Sequence, residues 1–277
     1  MKWRMFICAI CFLIGGCSLN IPLEDQFSDP DAITDVLSAR SLLASAYKAM
    51  PQQIFQLSVL SDDFCPSQHL NKDMSLQGLY NWREVEMTEL AGTLWAGYYA
   101  VIAEVNALLA RIDAVVTLDE TEKLEKMRIV CEAKALKSWC YFDLLRLFAP
   151  RYEGNENKDG IILKKRVELD FLPRSSVKEC VTEIRTLLNE ARNVDNTQKN
   201  VYWLSDKAVA YLQVELELYA GNYPAVLELT KDLETEYPES VLGADVYKYL
   251  WSSENSDARI FGKYQLEQIY MDIRFDT

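Results

Sequence analysis

The sequence predicts an all-α fold, an array of tetratricopeptide-like helical hairpins. Two observations carry that expectation. Apolar residues recur at three- and four-residue steps over most of the chain from Asp31 to Glu236, and no strand-rich region competes. Helix-starting and helix-stopping residues also cut this pattern into segments short enough to pair as hairpins.

Ala32, Val36, Ala39, Leu43, Ala46 and Met50 form the first helical stripe, which Pro51 stops. Residues 53–61 suit a second short helix or turn. The stretch 62–88, with Pro66 and Gly78, shows no clear periodicity and reads as a long variable loop, which in a compact domain is functional or disordered. Helical character resumes with Leu94, Tyr98, Val101, Ile102, Val105, Leu108, Leu109 and Ile112.

Asp119 is placed to cap the next helix, with Glu122 completing a capping box. That helix runs to about Phe148, with Leu124, Met127, Cys131, Ala135, Trp139, Phe142 and Leu145 on one stripe. Pro150 and the run from Gly154 to Gly160 end it, and residues 161–172 read as extended chain. Ser175 or Ser176, supported by Glu179, opens a helix to about Val194. Ser205 caps another to Ala220. Gly221-Asn222 turns the chain into an antiparallel partner, Tyr223 to Glu236, before Pro238.

The pair 205–236 has the length of a tetratricopeptide hairpin, ~34 residues. Ala208, Leu212, Leu216 and Tyr219 are expected to face Tyr223, Val226, Leu227 and Leu233. Hairpins of this kind cannot bury their faces singly, so neighbours must stack.

The N-terminus reads as a targeting segment. Lys2 and Arg4 precede ten apolar residues, Met5 to Ile14, too few for the ~20 that span a bilayer core. Ile14-Gly15-Gly16-Cys17 then offers small residues before a cysteine and resembles the lipobox of bacterial lipoproteins. Residues 1–16 are therefore expected to be a lipoprotein signal peptide, Cys17 the acylated residue and 17–30 an extended tether. An ordinary cleaved signal peptide is the alternative.

Removal of residues 1–16 leaves 27 cationic and 42 acidic side chains, a net charge of −15. Such a chain is repelled by phosphate backbones, which excludes nucleic acid as the expected partner. Cys65, Cys131, Cys140 and Cys180 form no CxxC or Cys/His cluster, so no metal or redox site is signalled, and they read mostly as small core residues. Nine residues along one helix separate Cys131 from Cys140 and place them on opposite sides. His69, the only histidine, lies in a polar stretch and reads as a loop residue. Nothing implies a cofactor, a catalytic residue or an enzyme.

Several segments follow one another in order. They are Cys17 with Leu19-Asn20-Ile21-Pro22; Leu60-Ser61-Asp62-Asp63; and Leu94-Trp95 with Tyr98 or Tyr99, Ile102, Asn106 and Leu108-Leu109. Next come Glu132-Ala133-Lys134-Ala135-Leu136-Lys137 and Tyr141-Phe142-Asp143-Leu144-Leu145-Arg146-Leu147-Phe148. Pro173-Arg174-Ser175-Ser176-Val177 with Ile184, and Ala208 through Tyr223, complete the set. Taken in this order they resemble the SusD/RagB family of outer-membrane nutrient-binding lipoproteins from Bacteroidota. The resemblance implies a SusD-like helical-repeat domain over 31–240 and a partial C-terminal segment over 241–277.

It also implies a cell-surface lipoprotein, lipid-anchored in the outer membrane. Such a protein captures oligosaccharide and delivers it to a SusC-like TonB-dependent transporter. Lys137 departs from the arginine common at its position, and family members are commonly about twice this length. A helical-repeat adaptor binding only protein is the second reading. Aromatic rings stack on the apolar faces of sugars while polar neighbours meet the hydroxyls. On that ground Trp82, Tyr80, Asn81 and Asp62, in the 62–88 stretch, are the expected ligand contacts. Trp95, Tyr98, Tyr99, Trp139, Tyr141 and Phe142 are expected in the scaffold core, and Tyr202-Trp203 is placed to staple the helix after it.

Overall fold

A computed structural model describes residues 33–65, 74–168, 171–192 and 202–236. The expected signal peptide, Cys17 and its tether, His69, the 241–277 segment and Trp251 lie outside them. Among the described residues there are eight α-helices and no strand; a single antiparallel bridge joins Asp159 to Ser176. The helices are α1 (Val36–Lys48), α2 (Ile54–Leu60), α3 (Met74–Tyr80), α4 (Glu84–Arg111), α5 (Glu120–Phe148), α6 (Val177–Ala191), α7 (Asp206–Tyr219) and α8 (Tyr223–Glu236).

The caps explain most of the boundaries. Asp35 and Ser38 close a capping box on α1, and Ser176 with Glu179 closes another on α6. Asp119 accepts the Glu122 N–H at 2.8 Å, as expected. The Glu122 carboxylate, however, reaches back to the Leu118 N–H at 2.7 Å rather than to the cap residue itself. Ser205 accepts the Ala208 N–H and starts α7.

Cross-helix pairs give the relative directions. Tyr98 meets Asp143 and Asn106 meets Lys137, so the partners step oppositely and α4 and α5 are antiparallel. Arg40 meets Glu125 and Tyr47 meets Glu132, a constant offset, so α1 and α5 are parallel. Arg185–Glu217 and Asn189–Gln213 make α6 and α7 antiparallel. Central α5 contacts α1, α4, α6 and α7. It can do so because its second half is buried on nearly every side, with small Ala133, Ala135, Ser138 and Cys140 between Leu136, Tyr141, Leu144 and Leu145.

The stretch 62–88 is not one long loop: it contains α3 and the first turns of α4, which begins ten residues before Leu94. Met87, Leu90 and Leu94 continue the α4 stripe, and Glu84 and Glu86 favour its positive N-terminal end. On α5 the expected stripe fails at its start, where Leu124 and Met127 are exposed. The Cys131 thiol already reaches the carbonyl of Glu190, near the C-terminal end of α6. Turns of α5 before Cys131 therefore have no α6 to pack on.

The last hairpin also departs from expectation. Ala208, Leu212 and Leu216 are buried, but Tyr223 and Leu227 are 65% and 66% exposed. Helix α7 is held between α6 and α8, whereas Tyr223 and Leu227 turn away from it. The Leu233 side chain lies outside the description. Trp203 packs edge-on against Tyr47 of α1 at 5.1 Å, so it pins the loop before α7 to α1. Tyr98, Tyr141 and Phe142 are buried, and Trp95, Tyr99 and Trp139 pack partly buried against the core, as expected for scaffold. Of the four cysteines, Cys131, Cys140 and Cys180 are buried and Cys65 is exposed.

Residues 160–164 belong to no strand; Gly160 and Ile161 bond to the Ser175 backbone, and side chains meet Ile162 and Lys164. The Tyr99 hydroxyl donates to the Ile162 carbonyl and accepts its N–H, while Asn106 and Tyr141 donate to the Lys164 carbonyl. Arg174 donates to the carbonyls of Phe148 and Gly160, and its guanidinium lies 5.0 Å from the Trp95 ring centre. Gly160 has no room for a side chain: a Cβ there would lie 2.8 Å from Cys180 Sγ and 3.0 Å from the Ser175 carbonyl oxygen. Since backbone is among the obstacles, Gly160→Ala is expected to lower unfolding free energy by about 1–3 kcal/mol, measured by urea titration.

Candidate functional site

The expected ligand residues sit where α2 and α3 end. Both helices stop in the same hydrogen-bonded turn, in which two N–H groups beyond the helix return to its last carbonyls. For α2 these are Asp63 to Ser58 at 2.9 Å and Asp62 to Val59 at 3.4 Å; for α3 they are Arg83 to Gly78 at 2.9 Å and Trp82 to Leu79 at 3.0 Å. The turn requires one residue in the left-handed region, normally glycine, and α7 meets that need with Gly221 at φ 70°. In α2 and α3 the residues are Asp62 at 66° and Trp82 at 55°.

Aspartate tolerates that conformation; a bulky tryptophan is strained there by about 1–2 kcal/mol. The Trp82 side chain gains little burial in exchange, being 61% exposed. A strained, solvent-facing indole is the feature that most sets this corner apart from the scaffold. Trp82→Gly is accordingly expected to raise unfolding free energy by about 1 kcal/mol while removing the ring, a change readable by thermal denaturation.

Tyr80 ends α3 just before it. Its hydroxyl pKa is raised, first by a hydrogen bond with the Cys65 thiol, then by the Cys65 charge, burial and the Asp62 charge, which places Cys65 beside Tyr80. Asn81 commits an amide hydrogen to the Gln77 carbonyl at 2.7 Å. Phe64, which the sequence did not single out, is half exposed and packs on Phe55 at 5.7 Å between ring centres. Its signal was available, since it follows Asp62-Asp63 in the same stretch. The corner therefore joins Cys65 to Tyr80, with Asp62 and Phe64 just before Cys65 in the chain and Asn81 and Trp82 continuing from α3.

Gly78 makes the corner tight. A Cβ there would fall 2.3 Å from the Glu86 carboxyl carbon, so its absence lets Glu86 lie over α3, where the carboxylate holds Arg83 at 2.7 Å. The motif residues of α5 have a different task. Glu132, Lys137, Tyr141 and Asp143 bond to Arg40, Asn106, the Lys164 carbonyl and Tyr98, all within the scaffold. Among the described residues no group of His, Cys, Asp and Glu side chains is placed to hold a metal ion.

Residues 23–215 match the SusD-like family described as starch-binding and associating with the outer membrane. The chain belongs to the SusD-like family. Solved structures share its fold. A SusD-like protein of Bacteroides fragilis superposes with a TM-score of 0.68 at 20% identity, covering 88% of this chain and 47% of its own. A SusD-like carbohydrate binding protein of Bacteroides vulgatus gives 0.65 at 16% identity, with 85% and 52% covered. A laminarin binding SusD-like protein gives 0.61 at 20% identity, with 82% and 50% covered. This SusD-like chain thus spans about half the length of the structures it matches. No curated protein matches it significantly.

Proposed function

We propose that this SusD-like chain is a glycan-capturing lipoprotein of the outer membrane that passes oligosaccharide to a SusC-like TonB-dependent transporter. The observation that carries the reading is Trp82, an exposed indole held against its backbone preference two residues after Tyr80, in a chain whose family is described as starch-binding. A flat ring covers the apolar face of a pyranose, and the Asp62 carboxylate and Asn81 amide offer partners for hydroxyls. The scaffold performs no chemistry here; it holds the corner and presents it. Cys17 acylation supplies the anchor, since multiple chains are needed for stable attachment and the acidic surface offers anionic lipid no attraction.

Retention of the full-length chain on immobilised laminarin or starch tests capture. Trp82→Ala is expected to weaken retention at least about tenfold, the scale of one lost stacking contact, with unchanged helical content. Mass spectrometry of Cys17 from the native envelope tests the anchor, with a thioether-linked diacylglycerol expected. The adaptor reading draws support from exposed Tyr223 and Leu227 on α8. Co-purification of a transporter by a chain that retains no glycan would favour it.

A further inference from the structure

We infer that the Trp82 corner selects uncharged glycans and turns away sulfated or uronic-acid glycans, an inference that rests on the capture reading above. Among the described residues between Gln53 and Gly92 there are five carboxylates, Asp62, Asp63, Glu84, Glu86 and Glu89, against one permanent cation, Arg83. The structure then removes Arg83 from service. Its guanidinium is paired with Glu86 at 2.7 Å, so these two charges offset each other and the remaining carboxylates are left in excess.

Carboxylates stand on both sides of Trp82 along the chain. Asp62 ends α2 in a left-handed turn, three residues before Cys65, whose thiol bonds the Tyr80 hydroxyl. Glu84 follows Trp82 by two residues and is exposed in the first turn of α4. A sugar stacked on the indole therefore meets a segment of net negative charge. Hydroxyl groups turn this to advantage, because ionised carboxylates accept strong hydrogen bonds from them. A sulfate or uronate on the same ring has no donor to offer and meets like charge, which is how a binding face rejects a near-identical ligand. The exclusion is electrostatic and exposed, so it weakens with salt.

The test uses the full-length chain on an array carrying neutral glucans, mannans, galactans and xylans beside alginate, pectin, heparin and chondroitin sulfate. Laminarin and laminarin sulfate serve as a matched pair. Neutral glycans are expected to be retained through Trp82, with sulfated laminarin bound roughly fivefold or more weakly than laminarin at low ionic strength. The gap closes as salt is raised to about 0.5 M. The double variant Asp63→Asn/Glu84→Gln is expected to raise retention of the sulfated probe. An acidic glycan retained through Trp82 as firmly as a neutral one overturns the selectivity and leaves capture standing. Retention of no glycan, or retention indifferent to Trp82→Ala, overturns capture and the selectivity with it.

Discussion

Replacing Arg40 by methionine is expected to lower unfolding free energy by about 3–5 kcal/mol, read from urea denaturation, because it strands a buried carboxylate. Glu132 lies in α5 with a fully buried side chain, and Arg40 Nη1 donates to its Oε2 at 2.9 Å. Burial pushes the Glu132 pKa up, and the Arg40 charge opposes that rise without cancelling it. Among the described residues its Oε1 has no hydrogen-bond partner. Only the Tyr47 hydroxyl, at 3.5 Å from Oε2, would remain after the substitution. The same tyrosine accepts the Leu204 N–H, and Trp203 beside it lies 4.9 Å from the Arg40 guanidinium, so loss of Arg40 also loosens the segment leading into α7.

The double variant Arg40→Met/Glu132→Leu separates net worth from stranded charge. It is expected to recover most of the loss, since apolar replacement of both members of a buried pair is often neutral. If Arg40→Met alone costs under about 1 kcal/mol, the pair is not the buried tie between α1 and α5 described above.

The second large effect is a dependence of stability on pH set by Lys137. Its ammonium donates to Asn106 Oδ1 at 2.6 Å, lies 5.6 Å from the Tyr141 ring centre and is buried. Burial lowers its pKa to about 8; Glu183 of α6 opposes the fall and Lys165 adds to it. Glu183 meanwhile pairs with Lys165 at 2.6 Å. Between pH 8 and the ordinary lysine value the unfolded chain binds more protons at this site than the folded one. Stability therefore rises with pH across that window, by about 3 kcal/mol if Lys137 acted alone.

Tyrosines limit the upper end. Burial raises Tyr99 to about 12 and pushes Tyr98 and Tyr141 higher still, so the folded protein keeps protons the unfolded chain sheds above pH 10. Stability is expected to climb from pH 8 to a maximum between about 9 and 10 and then fall. Lys137→Met is expected to abolish the climb and keep the fall. A climb that persists in the variant would assign it to another group.

Much of the fold was legible because helix periodicity and caps are local. Asp119, Ser176 and Ser205 each accept a backbone N–H from three residues ahead, a contact that spacing alone foretells. Helix α3 was missed because Gly78 lies inside it and reads as a breaker, and its end is marked by Trp82 where sequence rules look for glycine. Of the candidate site, the grouping of Asp62 with Tyr80 followed from their sharing one stretch. Phe64 and Cys65 share that stretch too, but the bond from Cys65 to Tyr80 depends on α2 and α3 packing together.

The sequence by itself determined an all-α array, its caps and its SusD-like relationship, since each depends on residues a few positions apart or on their order along the chain. Tertiary structure alone decided that Glu132 and Lys137 serve the scaffold, that Leu124, Met127, Tyr223 and Leu227 face outward, and that Trp82 is both strained and exposed. Burial and partnership are properties of what the rest of the chain places beside a residue, and no periodicity along one helix specifies where its neighbour ends.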